Sequence, residues 1–415
     1  MALTSAESAE TAEAAGTAAW RDQKRYLWLL GLFVPTMLFL MLPLVWLANR
    51  AGLHTLSQVP LWIGPILLYV LLPALDLWVG SDGQNPPDEV MAALENDRYY
   101  RYATYAYIPL QYASALFGAY LFTASDLSWL GFDGSLGWLG RIGVAATTAT
   151  VAGVGINTAH ELGHKRDSLE RWLAKITLAQ VCYGHFYVEH NRGHHVRVAT
   201  PEDPASSRFG ESFWEFLPRS TVGGIRSAWE LEAQRIRRTG KSPWNPSTWA
   251  NNDVANALAM SVLFWGALFA VFGPALIPYF LINAVYGSSL LESVNYLEHY
   301  GLVRQKLDNG RYERCTPQHS WNSDHMVTNL FLYHLQRHSD HHANPTRRYQ
   351  TLRSFDDSPN LPAGYGALIG VTYFPRIWRR LMDHRVLEHY DGDITRANIQ
   401  PRRREKILAH YRTAA

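Results

Sequence analysis

Fifteen of the chain's 17 histidines, all but His54 and His410, fall between residues 160 and 389. Nine of them stand in four short motifs. HELGHK at 160–165 carries His160 and His164, and EHNRGHH at 189–195 carries His190, His194 and His195. NYLEHYGL at 295–302 adds His299, and LQRHSDHHA at 335–343 adds His338, His341 and His342. Any one of these alone reads as a surface or hydrogen-bonded histidine. Together they ask for a metal, because neutral imidazole ligates zinc, copper, iron and nickel and histidines four apart on a helix share one face. HELGH by itself satisfies the zinc-protease pattern H-E-x-x-H. A catalytic zinc takes three protein ligands, however, and would leave both triplets and His299 without a task. Nine imidazoles suit two metal ions, each with four or five ligands and positions open for a small molecule.

Carboxylates inside the motifs are candidates to accept a free imidazole N–H and fix the ring's orientation. They are Glu161, Glu189, Glu298 and Asp340, and for each the plain alternative is a solvated charge or a helix cap. His185, His319, His325 and His334 read as supporting or structural.

Six apolar stretches must position these groups, at 27–48, 59–79, 103–124, 142–159, 254–272 and 274–292. Each is near the ~20 residues a helix needs to cross hydrocarbon. The fourth is short and rich in small residues, which suits a helix packed among other helices. Prolines at 35, 43, 65, 73 and 109 are tolerable where neighbouring helices satisfy the freed backbone. With the N-terminus in the cytoplasm, 36 of the 38 Lys and Arg fall on the cytoplasmic side, leaving only Arg50 and Arg141 outside, as the positive-inside rule requires. The fold class expected is an all-α integral membrane protein, six transmembrane helices with a helical cytoplasmic cap holding the metal site. The cap comprises 160–253 and 293–415, and residues 20–415 read as one domain after a disordered tail at 1–19. His160 leaves the fourth span and His299 follows the sixth, so the site belongs at the cytoplasmic mouth of the bundle. Asp76, near the cytoplasmic end of the second span, is either interfacial or paired inside.

Composition removes other classes. Cys182 and Cys315 read as free thiols, too few for a disulfide framework or an iron–sulfur centre. A formal net charge of +2 makes no case for nucleic acid.

The four motifs, with YGHF at 183–186, TPEDPASSR at 200–208 and HSWNSDH at 319–325, resemble the membrane-bound alkane 1-monooxygenases, the alkane ω-hydroxylases of the histidine-box desaturase and hydroxylase superfamily. The resemblance covers nearly the whole chain after about residue 20. Membrane desaturases, acyl hydroxylases and xylene-type monooxygenases share the three-box arrangement, and NYLEHYGL separates this family from the desaturases. The resemblance implies two non-haem iron ions held by the nine histidines, and O2-dependent terminal hydroxylation of medium-chain n-alkanes to 1-alkanols. It implies a bacterial inner-membrane protein with its site toward the cytoplasm. Electrons would come from rubredoxin, reduced by an NADH-dependent reductase. The chain has no paired C-x-x-C and no nicotinamide or flavin fingerprint, so rubredoxin is expected as a separate chain. RIRR at 235–238, Arg347–Arg348 and Arg379–Arg380 are candidate docking surfaces for that acidic carrier, or an ordinary positive-inside excess. An alkane has no polar handle, so an apolar channel between spans is expected. Trp62 and Leu68 are candidate lining residues, although such residues in a span more often face lipid or another helix. The rival readings are a related di-iron enzyme acting on fatty acyl or alkylaromatic substrates, and the zinc protease.

Overall fold

Small residues decide which helix becomes the centre of this molecule. The computed structural model describes residues 20–412, so the tail read at 1–19 lies outside the described residues. Its main helices are α1 (Leu27–Arg50), α2 (Leu56–Val79), α3 (Arg98–Thr123), α4 (Trp138–Gly163), α5 (Ser168–Ala179), α6 (Phe213–Arg237), α7 (Asp253–Phe272), α8 (Pro274–His299), α9 (His338–Ala343) and α10 (Tyr365–Thr372). Among the described residues extended backbone forms only isolated bridges.

Five of these helices, α1, α2, α4, α7 and α8, are long and apolar enough to cross a membrane. The sixth expected span is α3, a helix of 26 residues that is less apolar than the others. Its polar groups turn inward: Tyr107 donates to the Val151 carbonyl at 2.8 Å, Gln111 to that of Thr177 at 3.1 Å, and Tyr112 to that of Ile176 at 2.6 Å. A helix can carry hydroxyls and amides at membrane depth when a neighbour satisfies them.

α4 is the post around which the others stand, with 78% of its apolar window buried against 22–39% for the other four. Its glycines, alanines and threonines let backbones approach closely. A methyl at Gly153 would lie 2.8 Å from Leu290 Cδ1 and 2.9 Å from the Gly287 carbonyl, both on α8. A methyl at Gly64 on α2 would lie 2.7 Å from Thr147 Cα. Outward, α7 and α8 present Val262, Leu263, Val271 and Val285, all exposed, as a lipid-facing belt.

α2 is irregular. Pro60, Pro65 and Pro73 withdraw donors from its ladder, and it contains a π-helical segment at Leu67–Leu71. Asp76 on its last turn is paired inside: its carboxylate accepts the Thr328 N–H at 2.9 Å and the Thr328 hydroxyl at 2.5 Å.

On one side of the bundle the remaining chain forms a helical cap. An aromatic cluster fastens it to the end of α8, with Tyr296 ring-to-ring 5.2 Å from Trp378 and 5.9 Å from Phe213. α6 begins in a reciprocal cap between Ser212 and Glu215, which satisfies two orphan N–H groups at its first turn.

Candidate metal centre

The nine histidines meet where α4 and α8 enter the cap, and they form two groups. His160, His164, His190, His195 and His341 make one, and His194, His299, His338 and His342 the other. Within each group the donor nitrogens all lie within 4.8 Å of one another.

Local structure explains the division. His160 is on the last turn of α4 and His164 just past its end. The next triplet sits on a π-helical turn, Glu189–His194. In an α-helix His190 and His194 would share a face, but the wider turn aligns residues five apart. His190 and His195 therefore converge, Nε2 to Nε2 3.1 Å, while His194 turns to the other group. At Gly193 in this turn a methyl would lie 2.5 Å from Glu189 Oε2 and 2.6 Å from Arg197 Nη2, so the glycine leaves room for that ion pair. In α9, His338 and His342 are four apart and stay together, Nε2 to Nε2 2.9 Å, while His341 crosses to His160 at 2.9 Å.

α9 has only six residues, so it is held from outside. The fully buried Arg337 donates to the carbonyls of Leu352 at 2.8 Å and Asp82 at 2.9 Å, and the Ser339 N–H donates to Asn322 Oδ1 at 2.8 Å. His299 ends α8, fixed by Tyr300, whose hydroxyl bonds Asp383 at 2.9 Å and whose carbonyl accepts the Trp321 indole N–H at 3.0 Å.

The donor set fits metal ions. Nitrogens about 2.1 Å from one ion stand about 3.0 Å apart at right angles and about 3.4 Å apart at tetrahedral angles. The Nε2 separations of neighbours within the groups run from 2.9 to 3.3 Å. Buried Nε2 atoms of His164 and His194 have no hydrogen-bond partner. Burial first, then the neighbouring rings, push His164, His190, His195, His338, His341 and His342 well below the usual imidazole range. Neutral rings with converging lone pairs are what a cation requires.

The carboxylate that takes an imidazole N–H is Asp203, whose Oδ2 lies 2.9 Å from His194 Nδ1 and accepts the Ser206 hydroxyl at 2.6 Å. Burial pushes this acid up, but His194 and the Ser206 hydroxyl bring it down to about 2. Asp203 lies in TPEDPASSR, outside the histidine motifs, and only that segment's likeness to a family pattern marked it. Of the four carboxylates inside the motifs, Glu161 pairs with Lys165 at 3.0 Å, Glu189 with Arg197 at 2.7 Å and Asp340 with Arg347 at 2.9 Å. Glu298 faces the centre: one oxygen is 3.2 Å from His338 Nε2 and the other accepts the Tyr365 hydroxyl at 2.9 Å.

The remaining histidines are held by their surroundings. His334 Nδ1 lies 2.9 Å from the Tyr349 carbonyl, His325 Nδ1 2.8 Å from Ser323 Oγ, and His319 Nε2 3.2 Å from Glu313, while the His185 ring packs 4.3 Å from that of Tyr183. Four residues of the basic runs have partners within the protein: Arg235 with Glu232, Arg347 with Asp340, Arg348 with Glu170, and Arg379 with the Gly210 carbonyl. Arg237, Arg238 and Arg380 are exposed.

A narrow cavity of about 50 Å³ runs from the histidines between the spans. His160, His190 and His338 open onto it, and its walls are apolar, with Leu68, Val154, Leu290, Val294, Leu332 and Ile369. The π-helical segment of α2 carries Leu68 there. Trp62 lies elsewhere, its indole N–H donating to the Leu139 carbonyl at 3.0 Å and its ring against Gly143.

Membrane-crossing helices whose ends bring nine imidazoles into two groups above an apolar cavity define a multi-pass membrane protein with a metal site. Residues 136–369 match the fatty acid desaturase family. The chain is 43% identical over 394 residues to the alkane 1-monooxygenase of Acinetobacter baylyi, covering 94% of this chain and 91% of that protein. It is 44% identical over 388 residues to alkane 1-monooxygenase 1 of Alcanivorax borkumensis, covering 92% and 90%. The hydroxylase component of the xylene/toluene monooxygenase of Pseudomonas putida is 30% identical over 236 residues, 56% of this chain and 60% of that one. The chain belongs to the fatty acid desaturase family, in its alkane 1-monooxygenase branch.

Proposed function

We propose that this chain is an alkane 1-monooxygenase that hydroxylates medium-chain n-alkanes at the terminal carbon with O2, using two non-haem irons and electrons from a separate rubredoxin. The observation that carries this reading is the pair of histidine groups opening onto an apolar cavity among the spans. One iron would be held by His160, His164, His190, His195 and His341, the other by His194, His299, His338 and His342. Iron, when bound, supplies the activation of O2 needed to break an unactivated C–H bond.

The chain's own residues supply the rest. Leu68, Val154, Leu290, Leu332 and Ile369 exclude water and admit an alkane only lengthwise, so shape presents a terminal carbon to the histidine end. Asp203 fixes the tautomer of His194 and keeps its Nε2 free to bind metal. Glu298, steadied by Tyr365, is placed to hold a proton beside His338. The concentration of Lys and Arg on the cap side supports a cytoplasmic cap in the bacterial inner membrane, within reach of rubredoxin and its NADH-dependent reductase. Exposed Arg237, Arg238 and Arg380 are the basic residues free to steer an acidic partner. Residues 20–415 act as one hydroxylase domain.

The test is purified iron-loaded protein with rubredoxin, reductase and NADH, given n-alkanes of graded length and, in parallel, xylene and an acyl thioester. Two irons per chain and 1-alkanol from alkanes are expected. No alkanol from any chain length refutes the assignment. One zinc per chain, with activity surviving His338→Ala but lost in Glu161→Gln, would replace it with a protease.

A further inference from the structure

Hydroxylation as proposed above consumes two protons as well as two electrons: alkane, O2, two electrons and two protons give alcohol and water. The electrons arrive from a one-electron iron protein. The protons need a route of their own, because the first cavity is lined mainly by apolar side chains that cannot pass them on.

A second cavity of about 20 Å³ shares His190 with the first, and polar side chains stand among its lining. A volume of that order holds about one water. Tyr183, His185, Glu292, Asn295 and Ser220 line it, and the rings of His190 and His194 close its inner end. The two cavities have only Phe186, His190 and Asn295 in common, so they meet at a single wall.

Glu292 is 3% exposed and has no ion-pair partner among the described residues. Its Oε1 accepts the Tyr183 hydroxyl at 2.6 Å, and Asn295 Nδ2 stands 3.4 Å from the same oxygen. Its Oε2 is buried without a hydrogen bond of good geometry, and the Ser220 hydroxyl stands close to the carboxyl. Leaving a carboxyl oxygen unmatched inside a protein is costly unless the site uses it. Outward, the Tyr183 hydroxyl is 3.4 Å from that of Thr221, a half-buried residue of α6. The other titratable or charged groups packed around Glu292 are His185 and Glu189, beside the π-helical turn, and Arg219 on α6, which is tied to Glu211 at 2.7 Å.

We infer that Glu292 is a proton relay, taking protons from the cap surface through Thr221 and Tyr183 and passing them through this second cavity to the histidine centre. This rests on the hydroxylase reading, and the test separates the two. The variants are Glu292→Gln, Glu292→Asp and Tyr183→Phe in the full-length iron-loaded protein with rubredoxin, reductase and NADH. Four quantities are read: iron per chain, 1-alkanol formed per NADH consumed, the rate in D2O against H2O, and the infrared band of a protonated carboxyl before and after D2O exchange. In Glu292→Gln, iron content stays at the wild-type value and alkanol formation falls about 100-fold, the usual scale for losing a positioned proton donor. Glu292→Asp recovers to within about tenfold of wild type, and Tyr183→Phe slows the reaction and changes the D2O effect. The wild-type carboxyl band shifts in D2O and is missing from Glu292→Gln. Wild-type rate and alkanol yield in Glu292→Gln, or a carboxyl band that does not exchange, overturns the relay. Loss of iron in both Glu292 variants overturns it too, by showing a scaffold role. Absence of alkanol from the wild-type protein sinks the hydroxylase reading instead, while the exchange experiment still reads the relay.

Discussion

Replacing Asp203 by Asn tests whether one buried carboxylate sets the strength of the four-histidine group. Both oxygens of Asp203 act only as acceptors. Oδ2 faces His194 Nδ1 at 2.9 Å and the Ser206 hydroxyl at 2.6 Å, and Oδ1 takes the Ala205 N–H at 3.2 Å. The Ser206 hydroxyl also accepts the Ala199 N–H at 2.9 Å, which leaves its own proton for Asp203. Every neighbour is thus a donor, and an amide NH2 must oppose one of them. Facing Ala205 it leaves a buried N–H unmatched. Facing His194 it drives the ring to the other tautomer, with the proton on the nitrogen meant for metal. Losing such a partner typically weakens metal binding 10- to 100-fold, equivalent to about 1.4–2.7 kcal/mol. The assay is iron content against rising chelator concentration. One iron per chain should leave Asp203→Asn at about 10- to 100-fold lower chelator than in wild type, and the other should leave unchanged. Glu161→Gln is the control, because Glu161 bonds Lys165 and no histidine. Identical release curves for Asp203→Asn and wild type, or equal loosening of both irons, would refute the reasoning.

Three further outcomes are expected. Metal-free protein should lose stability as pH falls below about 6.5, because burial holds its neutral histidines far below the ordinary imidazole value of about 6.5 that they regain on unfolding; the unfolded chain then binds more protons, at up to about 1.4 kcal/mol per pH unit for each. Thermal midpoints in detergent between pH 7 and pH 5 check this, and a flat profile counts against it. Gly153→Ala should destabilise by about 1–3 kcal/mol through overpacking against α8, seen as a lower denaturation midpoint, whereas wild-type stability would mean that α4 and α8 do not pack at that contact. Leu68→Trp should shorten the longest alkane accepted without changing iron content, and an unchanged chain-length profile would remove Leu68 from the substrate path.

How much of this could be read from sequence depended on whether a residue's signal was local. The nine histidines and the apolar stretches stand out because type and spacing suffice, and the small residues of 142–159 already suggest a helix surrounded by others. The division of the histidines does not stand out. α-helical spacing pairs His190 with His194, and only the wider turn couples His190 to His195. Asp203 escapes for another reason: it reaches His194 from a loop with no periodicity. Glu161 and Asp340 attract attention by adjacency, yet helix geometry aims them at Lys165 and Arg347. α3, read from sequence as a span, is less apolar than the five helices fit to cross a membrane, because it carries tyrosines and a glutamine whose partners lie on other helices.

The central position of α4 has a consequence for how the molecule is made. Its close approach to α8, Gly153 against Leu290 and Gly287, joins segments more than a hundred residues apart. During synthesis α4 therefore enters the bilayer before the surface it fits exists. Until α8 arrives it has α1, α2, α3 and then α5 for company, and His160 and His164 wait at its end without the rest of their site. Assembly of the two histidine groups is then a late event, possible only once the last span and the segment carrying His338, His341 and His342 have both been made.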